Sequence, residues 1–463
     1  MRSSCAMARA LVVILATGLL LDSCRLGQGR SNNYECTDCN VVLISIDTLR
    51  ADHVGTYGYS RPTTPNIDAL SKTSVVFEDA IAQSSWTRAA HMSIFTGLHP
   101  REHGYIALAD RRRLDDKVAT LASVLRENGY TTAAFVGGVN VAAEYGFDQG
   151  FDVYRSNGKF FRDNFQDAMY WLDGNEKSRF FLFLHGYDAH TPYASDPIDR
   201  LAIGVTSQMP RKGLRKTCTK AGAIERIQPF VEAYDAAVHR ADRYVGKILA
   251  DLERRHLLER TIVVLLSDHG EEFLEHGRCF HLSTLYREVL HVPLIVKAPG
   301  LAPRRVAGLV SASVTIAPTI AGLVGIRTHP FPAAALIDAA LGGAVPTEAV
   351  VSETERSIKG EGFGHLRAIT TANRKLIDWL SQRRREYFRT DEDAGEARPL
   401  TTIAEGADLD EELERWTGAH VPMVGSGREE GERTSDVPVP GASPSSAPSP
   451  EQDEKLRSLG YIE

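Results

Sequence analysis

Val41-Val42-Leu43-Ile44-Ser45-Ile46 is an almost entirely apolar run, and Asp47 follows it directly. Because both faces of a strand inside a parallel sheet are buried, such a run is typical of a central parallel strand. Comparable runs recur at Thr131 to Val136, Phe180 to Leu184, Thr261 to Leu266 and Val292 to Val296. Helical patterns separate them, including Val118 to Asn128 and Ile224 to Arg255. This alternation predicts an α/β fold with helices on both faces of one sheet.

The C-terminal part has a different pattern, with short strand candidates that predict a small antiparallel sheet followed by a helix. They lie at Ala349 to Ser352, His365 to Thr371 and Lys375 to Trp379. Residues 425–450 are rich in Ser, Pro, Gly and Glu, which is typical of a disordered linker. The predicted organisation is a signal peptide at 1–23, a tether at 24–39, the main domain at 40–345, a C-terminal subdomain at 346–423, a linker at 424–450 and a terminal helix at 451–463.

The N-terminus has the pattern of a targeting segment. Arg2 and Arg9 precede an apolar run from Ala10 to Leu21, which is too short to span a bilayer comfortably. The run ends in Leu-Asp-Ser-Cys24, which resembles a lipobox. We expect lipidation of Cys24, export of the body to the cell envelope, and membrane attachment by the lipid anchor only. Ordinary secretion, which the unusual Asp22 favours, and an uncleaved anchor are the alternatives.

The composition is that of an ordinary globular protein, with 463 residues of which 43% are hydrophobic and 24% charged. A net charge of -7 gives no reason to expect a nucleic-acid partner. Apart from Cys5 and Cys24 in the targeting segment, the cysteines allow two disulfides in three possible pairings, with free thiols as the alternative. They are Cys36, Cys39, Cys218 and Cys279.

Two strand ends place carboxylates and an imidazole where a parallel sheet binds its ligands. Asp47 follows the first apolar run, and Asp268 and His269 follow the run that ends at Leu266. Asp and His are common ligands of divalent metals. The sequence therefore predicts a metal site, although a turn or capping role would explain each residue taken singly.

The segment from Thr87 to Thr96 predicts a helix, with Thr87 as its N-cap and Gly97 at its end. A hydroxyl at the positive end of a helix is well placed to meet an anionic ester. A plain capping role is the alternative. Two histidine-bearing loops, residues 185–193 and 275–281, add further candidates for the same site.

The order of these segments resembles the sulfatase family of the alkaline-phosphatase superfamily, over roughly Asn40 to Thr402 and again at the extreme C-terminus. The segments that carry the resemblance are Asn40 to Arg50, Thr63 to Leu70, Gly146 to Asp152, Tyr234 to Ala237, Leu285 to Ile295 and Lys455 to Tyr461. The resemblance implies an alkaline-phosphatase-like mixed sheet sandwiched between helices, with a small antiparallel C-terminal sheet and a helix.

The family signature, Cys/Ser-x-Pro-Ser-Arg followed by Thr-Gly, is altered in this chain. Counting back from Thr96-Gly97 places Thr87 at the Cys/Ser position, Ala89 and Ala90 at Pro and Ser, and His91 at Arg. Formylglycine, which family members make from Cys or Ser, cannot be made from Thr, so none is expected. Thr is the nucleophile in related branches such as the phosphodiesterases, and His91 resembles a histidine of that branch.

The resemblance implies a role for each candidate residue. The metal ligands would be Asp47, Thr87, Asp268 and His269; the catalytic residues Thr87, His91, His190 and His281; and the substrate-binding residues His190 and His281, with His276 as an alternative to His281. A second metal site, as in two-metal relatives, is an alternative to the single site, and Asp188 with a neighbouring histidine is its candidate.

One divalent metal is expected, either Ca²⁺, Mn²⁺ or Zn²⁺. Many relatives have Asp where this chain has Thr48, and Asn where it has His269. Both changes make the site less anionic and softer, which favours Mn²⁺ or Zn²⁺.

These features together predict a metal-dependent hydrolase of sulfate or phosphate esters, with Thr87 as the nucleophile. The expected substrate is a small anionic ester or a glycan. Two alternatives are a transferase that passes a phosphoryl-type group to an acceptor in the cell envelope, and a non-catalytic binding protein that retains the fold. Ala89 and Ala90, in place of Pro and Ser, favour the binding protein.

Overall fold

The computed structural model describes residues 34–107, 110, 112–206, 214–218, 222, 224–346, 349–356, 364–400 and 406–422. The predicted signal peptide, Cys24, the linker at 424–450 and the terminal helix at 451–463 lie outside these residues. None of the helices in the described part combines the length and the apolar character that a membrane crossing needs.

The described residues contain fourteen strands and twelve α-helices. The strands are β1 (Asn40–Ile46), β2 (Val75–Ile81), β3 (Thr131–Gly137), β4 (Val153–Gly158), β5 (Phe180–Gly186), β6 (Thr261–Leu266), β7 (Glu272–Phe273), β8 (Cys279–Phe280), β9 (His291–Lys297), β10 (Arg304–Ser311), β11 (Ala349–Glu355), β12 (His365–Thr371), β13 (Arg374–Trp379) and β14 (Arg384–Arg389). The helices are α1 (Pro65–Ser71), α2 (Thr87–Thr96), α3 (Pro100–His103), α4 (Leu121–Glu127), α5 (Phe161–Asn175), α6 (Pro197–Ala202), α7 (Leu214–Cys218), α8 (Gln228–Arg254), α9 (Arg287–Leu290), α10 (Ile316–Leu323), α11 (Ile337–Ala340) and α12 (Ala407–Ala419).

Eight strands form one mixed sheet in the order β10-β2-β9-β6-β1-β5-β3-β4. β1 lies near the centre and is parallel to both its neighbours, β5 and β6. β9 runs antiparallel to β6 and β2, which makes the sheet mixed. The predicted mixed α/β sheet is confirmed, and the five predicted strands of the main domain are β1, β3, β5, β6 and β9.

Both faces of the sheet are buried, which explains the continuous apolar runs. Val41 and Leu43 belong to one hydrophobic cluster, and Val42 and Ile44 belong to another on the opposite face. Residues of α2, α4 and α10 complete the first cluster, and residues of α5 and α8 complete the second. Successive residues of β1 therefore contact different helical layers, and a polar residue within the strand would be buried on either face.

Several elements differ from the sequence-based expectation. The predicted helix Val118 to Asn128 is shorter, Leu121–Glu127, and the predicted helix Ile224 to Arg255 is a short 3-10 turn followed by α8. Strands β2, β4, β7, β8, β10 and β14 were not predicted. β4 and β10 are edge strands, and β2 contains Glu78 and Asp79 in its middle, so none of the three presents an uninterrupted apolar run.

The C-terminal part forms a second sheet, antiparallel throughout, in the order β11-β12-β13-β14. Leu409 and Leu413 of α12 pack on Val351 and Ile369 of this sheet. The predicted small antiparallel sheet with its helix is confirmed.

The four cysteines of the described residues pair as Cys36–Cys39 and Cys218–Cys279, which selects one of the three possible pairings.

Candidate active site

The carboxyl ends of β1 and β6 bring three metal-binding side chains together. Asp47 follows β1, and Asp268 and His269 follow β6, its hydrogen-bonded neighbour. One ligand atom from each of the three lies within 4.8 Å of the others, and all three side chains are buried. Residues 221 positions apart in the sequence therefore share one site because adjacent parallel strands end at the same edge.

The chemistry of this cluster fits a divalent cation. Asp47 Oδ1 and Asp268 Oδ2 are buried, and neither atom hydrogen-bonds to another described group. Burial and the nearby Asp268 carboxylate raise the pKa of Asp47 well above its ordinary value. A buried pair of carboxylates with unpartnered oxygens is costly by itself, and a bound cation removes that cost. Asp47, Asp268 and His269 are thus a coherent ligand set for one divalent metal.

Thr87 lies at the start of α2 and points into the same cluster. Its Oγ1 atom lies 3.3 Å from Asp47 Oδ2 and 3.2 Å from His269 Nε2. The predicted N-cap assignment is one residue off, because the extended Trp86 is the N-cap and Thr87 is the first helical residue. The Thr87 hydroxyl therefore faces the carboxylate and the imidazole. The expected end of the helix at Gly97, with a φ of 67°, agrees with the structure.

His91 lies one helical turn after Thr87 and contacts Thr87, Asp268 and Ser45. Its Nδ1 atom lies 2.9 Å from the carbonyl oxygen of Thr87 and 3.4 Å from Asp268 Oδ2. Its Nε2 atom lies 2.9 Å from Ser45 Oγ. Burial lowers the pKa of His91 to about 3, so the ring is neutral. With both nitrogens engaged, His91 positions Thr87 and Asp268 from the protein side.

His190 and His281 form the other wall of the site. The ring of His281 lies 4.5 Å from that of His269 and 5.1 Å from that of His190, measured between centroids. His281 Nδ1 lies 3.0 Å from Glu271 Oε1, and His190 Nδ1 lies 2.6 Å from the carbonyl oxygen of Thr191. The structure thus places His281 next to His269, a metal-site residue, and His190 next to His281.

Two further residues at the site were not singled out from the sequence. His185, the penultimate residue of β5, is buried, and its Nε2 atom lies 3.4 Å from Asp47 Oδ2. Glu271 is buried between His281 and the Tyr193 hydroxyl, which lies 3.1 Å from its Oε2 atom, and burial raises the pKa of Glu271 to about 7. The available signal was positional, because His185 lies near the carboxyl end of β5, next to β1, and Glu271 follows the Asp-His pair by two residues.

Comparison with known proteins agrees with this geometry. A model of the family described as Sulfatase matches residues 39–326, which is more than half of the chain. The chain belongs to the sulfatase family. That family is part of the alkaline-phosphatase superfamily, and its members are ester-hydrolysing enzymes.

Individual relatives of this sulfatase-family protein are distant in sequence. A sulfatase of Formosa agariphila is 24% identical over 384 residues, covering 68% of this chain and 75% of the relative. A solved structure in complex with its substrate D-glucosamine-2-N,6-O-disulfate has a TM-score of 0.70 at 18% identity, covering 82% of this chain and 97% of that one. The phosphonate monoester hydrolase of Agrobacterium radiobacter has a TM-score of 0.69 at 18% identity, covering 83% and 96%. The two solved structures share the fold.

His276 does not join the candidate active site of this sulfatase-family protein. Its Nδ1 atom lies 2.6 Å from Glu288 Oε1, and its Nε2 atom lies 3.0 Å from the carbonyl oxygen of Glu396. Its ring stacks on Tyr286 with a centroid distance of 3.6 Å. With both nitrogens and one face engaged, His276 ties the loop to the C-terminal part of the chain. The geometry therefore favours His281 over the alternative, His276, as the substrate-contacting histidine.

Asp188 does not provide a second metal site either. Its Oδ1 atom accepts a hydrogen bond of 2.8 Å from Arg240 Nε, and its Oδ2 atom accepts one of 2.7 Å from the backbone N–H of Phe161. One oxygen thus forms a buried ion pair with Arg240, and the other accepts a hydrogen bond from the first residue of α5. The cluster at Asp47 is the one group of three potential metal ligands found among the described residues.

Proposed function

We propose that this sulfatase-family protein hydrolyses sulfate or phosphate esters, with Thr87 as the nucleophile. The observation that carries the proposal is the position of Thr87 Oγ1, 3.3 Å from Asp47 Oδ2 and 3.2 Å from His269 Nε2. A plain capping threonine would direct its hydroxyl towards its own helix. Thr87 instead directs it into a buried cluster of carboxylates and imidazoles at the positive end of α2.

Asp47, Asp268 and His269 would hold one divalent cation, which supplies Lewis acidity that lowers the pKa of a hydroxyl and stabilises an oxyanion. The donor set of two carboxylates and an imidazole favours Mn²⁺ or Zn²⁺ over Ca²⁺. Because Thr87 stands at the signature position, the site operates without formylglycine.

The side chains of this chain divide the reaction between them. Thr87 Oγ1 attacks the sulfur or phosphorus atom, and its proton has an acceptor in Asp47 Oδ2. The bond from that atom to the leaving oxygen breaks, and His281 or His190 protonates the departing alcohol. Water then attacks the Thr87 ester and gives a proton to the histidine that protonated the alcohol. The bond to Thr87 Oγ1 breaks, Asp47 returns the proton to this oxygen, and inorganic sulfate or phosphate is released. The backbone N–H groups at the start of α2 hold the oxyanion.

A small anionic ester or a sulfated glycan is the substrate class that we propose. The support is the structural neighbour whose substrate is D-glucosamine-2-N,6-O-disulfate, together with a neighbour that is a phosphonate monoester hydrolase.

We also propose that the protein is exported and held at the cell envelope by a lipid on Cys24. The disulfides Cys36–Cys39 and Cys218–Cys279 favour an oxidising compartment.

The Thr87→Ala variant tests the nucleophile. Purified protein loaded with Mn²⁺, Zn²⁺ or Ca²⁺ is assayed against an aryl sulfate, an aryl phosphate and an aryl phosphodiester. We expect Thr87→Ala to lower kcat by about 10³-fold or more, since the covalent route is lost. Thr87→Ser, which keeps a hydroxyl, should retain far more activity. Mass spectrometry of acid-quenched wild type should find the sulfuryl or phosphoryl group on the peptide that contains Thr87.

Thr96→Ala is the matched control, because Thr96 lies on the same helix and its hydroxyl donates to the carbonyl oxygen of Met92. Full turnover by Thr87→Ala would exclude Thr87 as the nucleophile. If metal-loaded wild type turns over none of the three esters, the non-catalytic binding protein becomes the better interpretation.

A further inference from the structure

The segment that carries His281 is a short hairpin with an unusual backbone. β7 and β8 pair so that Phe273 lies opposite Cys279, and the hairpin places Glu271 before one strand and His281 after the other. Phe280 and Leu282, on either side of His281, have φ values of 74° and 77°. Non-glycine residues adopt this left-handed region only where their surroundings hold them there. The conformation that presents His281 therefore depends on external anchors.

His276 holds the turn of this hairpin through Glu288 and Glu396, and two further non-covalent anchors hold the ends of the segment. The backbone N–H of Leu282 donates a hydrogen bond of 3.0 Å to the carbonyl oxygen of Ser85, two residues before Thr87. His281 Nδ1 lies 3.0 Å from Glu271 Oε1. The paired part of the hairpin is only two residue pairs long, with one further backbone hydrogen bond from Leu274 to the carbonyl oxygen of Arg278. Hairpins of this size are marginal by themselves.

A covalent anchor acts on β8 itself. Cys279, two residues before His281, forms a disulfide with Cys218, 61 positions earlier in the sequence. Cys218 ends α7, and Leu214 at the start of α7 is buried in the hydrophobic cluster that also contains Phe273 and Cys279. The disulfide thus links the strained strand to a short helix whose first residue, Leu214, is buried in that cluster.

We infer that the Cys218–Cys279 disulfide is a positioning element for His281, holding the imidazole beside His269 in a backbone conformation that the hairpin alone does not maintain. This inference rests on the proposed function, because His281 acts there on the leaving group. A dithiol reduces the bridge to two thiols, is itself oxidised to a disulfide, and thereby releases β8 while the metal cluster stays intact. The activity is then sensitive to reduction although no cysteine takes part in the chemistry.

The test compares two double variants. Cys218→Ser/Cys279→Ser removes the bridge at His281. Cys36→Ser/Cys39→Ser removes the other bridge, which lies before β1 and therefore roughly 20 Å from Asp47 at the far end of that strand. We expect the first variant to lose up to about 10²-fold in kcat with a smaller change in KM and unchanged metal content, since misplacement of a catalytic group by about 1 Å has that effect. The second variant should keep wild-type kcat.

A double-mutant cycle with His281→Ala separates positioning from general destabilisation. If the bridge acts through His281, its removal in the His281→Ala background causes no further loss of kcat. The loss from removing the bridge alone should not exceed that of His281→Ala. Wild-type kcat in folded Cys218→Ser/Cys279→Ser protein, additive losses in the cycle, or an equal loss in Cys36→Ser/Cys39→Ser would each overturn the inference.

Hydrogen exchange distinguishes failure of this inference from failure of the proposed function. Amides of residues 271–282 should exchange faster in Cys218→Ser/Cys279→Ser and at the wild-type rate in Cys36→Ser/Cys39→Ser. If wild type turns over no ester but the exchange differs in this way, the proposed function fails and the bridge still holds the segment. Unchanged exchange in both variants refutes the anchoring role whatever the activity.

Discussion

At the scale of single residues, the two carboxylate oxygens of Asp47 have different surroundings. Oδ2 faces the Thr87 hydroxyl at 3.3 Å and His185 Nε2 at 3.4 Å. Oδ1 is buried without a described hydrogen-bond partner, as expected of an atom that binds a cation. The Nδ1 atom of His185 donates to the carbonyl oxygen of Gly137, so its Nε2 lone pair faces the carboxylate and makes no hydrogen bond among the described groups. Mutation of a residue that surrounds a metal site in this way commonly lowers metal affinity by about 10- to 100-fold.

We expect His185→Gln to weaken metal binding by about 10- to 100-fold, because the cluster loses the buried imidazole nitrogen that faces Asp47 Oδ2. Metal affinity is measured by competition with a chromophoric chelator. His291→Gln is the control, since His291 is a largely buried histidine of β9 that contacts the carbonyl oxygen of Glu78 away from the cluster. Equal losses in the two variants would mean that general destabilisation, and not the contact with Asp47, lowers the affinity.

At the scale of elements, α2 is the helix that places Thr87 and His91 at the candidate active site. All ten of its residues are buried, and its first two turns carry Thr87 and His91. Its end is defined by Gly97, whose φ of 67° stops the helix after Thr96. A Cβ atom at Gly97 would lie 3.2 Å from Phe331 Cβ and 3.4 Å from the carbonyl oxygen of Val314.

Gly97→Ala should lower the free energy of unfolding by about 1 kcal/mol or more, since alanine is strained at positive φ. Chemical denaturation followed by circular dichroism gives the value. Gly174→Ala in α5 is the matched control with the opposite sign. Its Cβ meets nothing within 4 Å, so we expect a gain of about 0.5–1 kcal/mol. An increase in the free energy of unfolding for both variants would show that α2 does not need a residue with positive φ at position 97.

At the scale of the whole molecule, the small sheet is tied to the main sheet through β11. The backbone N–H of Glu353 donates a hydrogen bond of 2.9 Å to the carbonyl oxygen of Gln83, and Ser352 Oγ donates one of 2.6 Å to that of Ala82. The buried Glu353 carboxylate also accepts hydrogen bonds from Arg101 Nε at 3.0 and 3.1 Å. The same segment after β2 leads into Thr87, so this junction supports the site indirectly.

Because Glu353 is ionised in this junction, the free energy of unfolding depends on pH. Burial acts to raise the pKa of Glu353, but His365 and Arg101 outweigh it and lower the pKa to about 2. Because the folded-state pKa lies below the unfolded value, this contribution is complete above pH about 4.5 and is lost as the pH falls towards 2. It amounts to at most about 3 kcal/mol.

Glu353→Gln should therefore be less stable than wild type at pH 6 and differ less from it near pH 2, as measured by the Tm across this range. Glu78→Gln, at a carboxylate that is 38% exposed beside Arg305, is the control and should change the Tm little at any pH. A constant difference between wild type and Glu353→Gln from pH 6 to 2 would contradict the assigned pH window.

The parts of the fold that were predicted from the sequence are those whose pattern is local. β1 and β6 were predicted because burial on both faces makes every residue apolar, and Asp47 and Asp268 stand out because they end those runs. β2, β4 and β10 were not predicted, because edge positions and polar residues interrupt the same pattern.

Sequence alone determined the family, the strand-end carboxylates and the threonine at the start of a helix, because each depends on neighbours within a few positions. Only the tertiary structure decided which histidines belong to the site. His281 and His276 lie five residues apart in the same loop, yet one faces His269 and the other is bound to Glu288 and Glu396. The direction of each ring is set by groups distant in the chain, and the packing of those groups has no local signature.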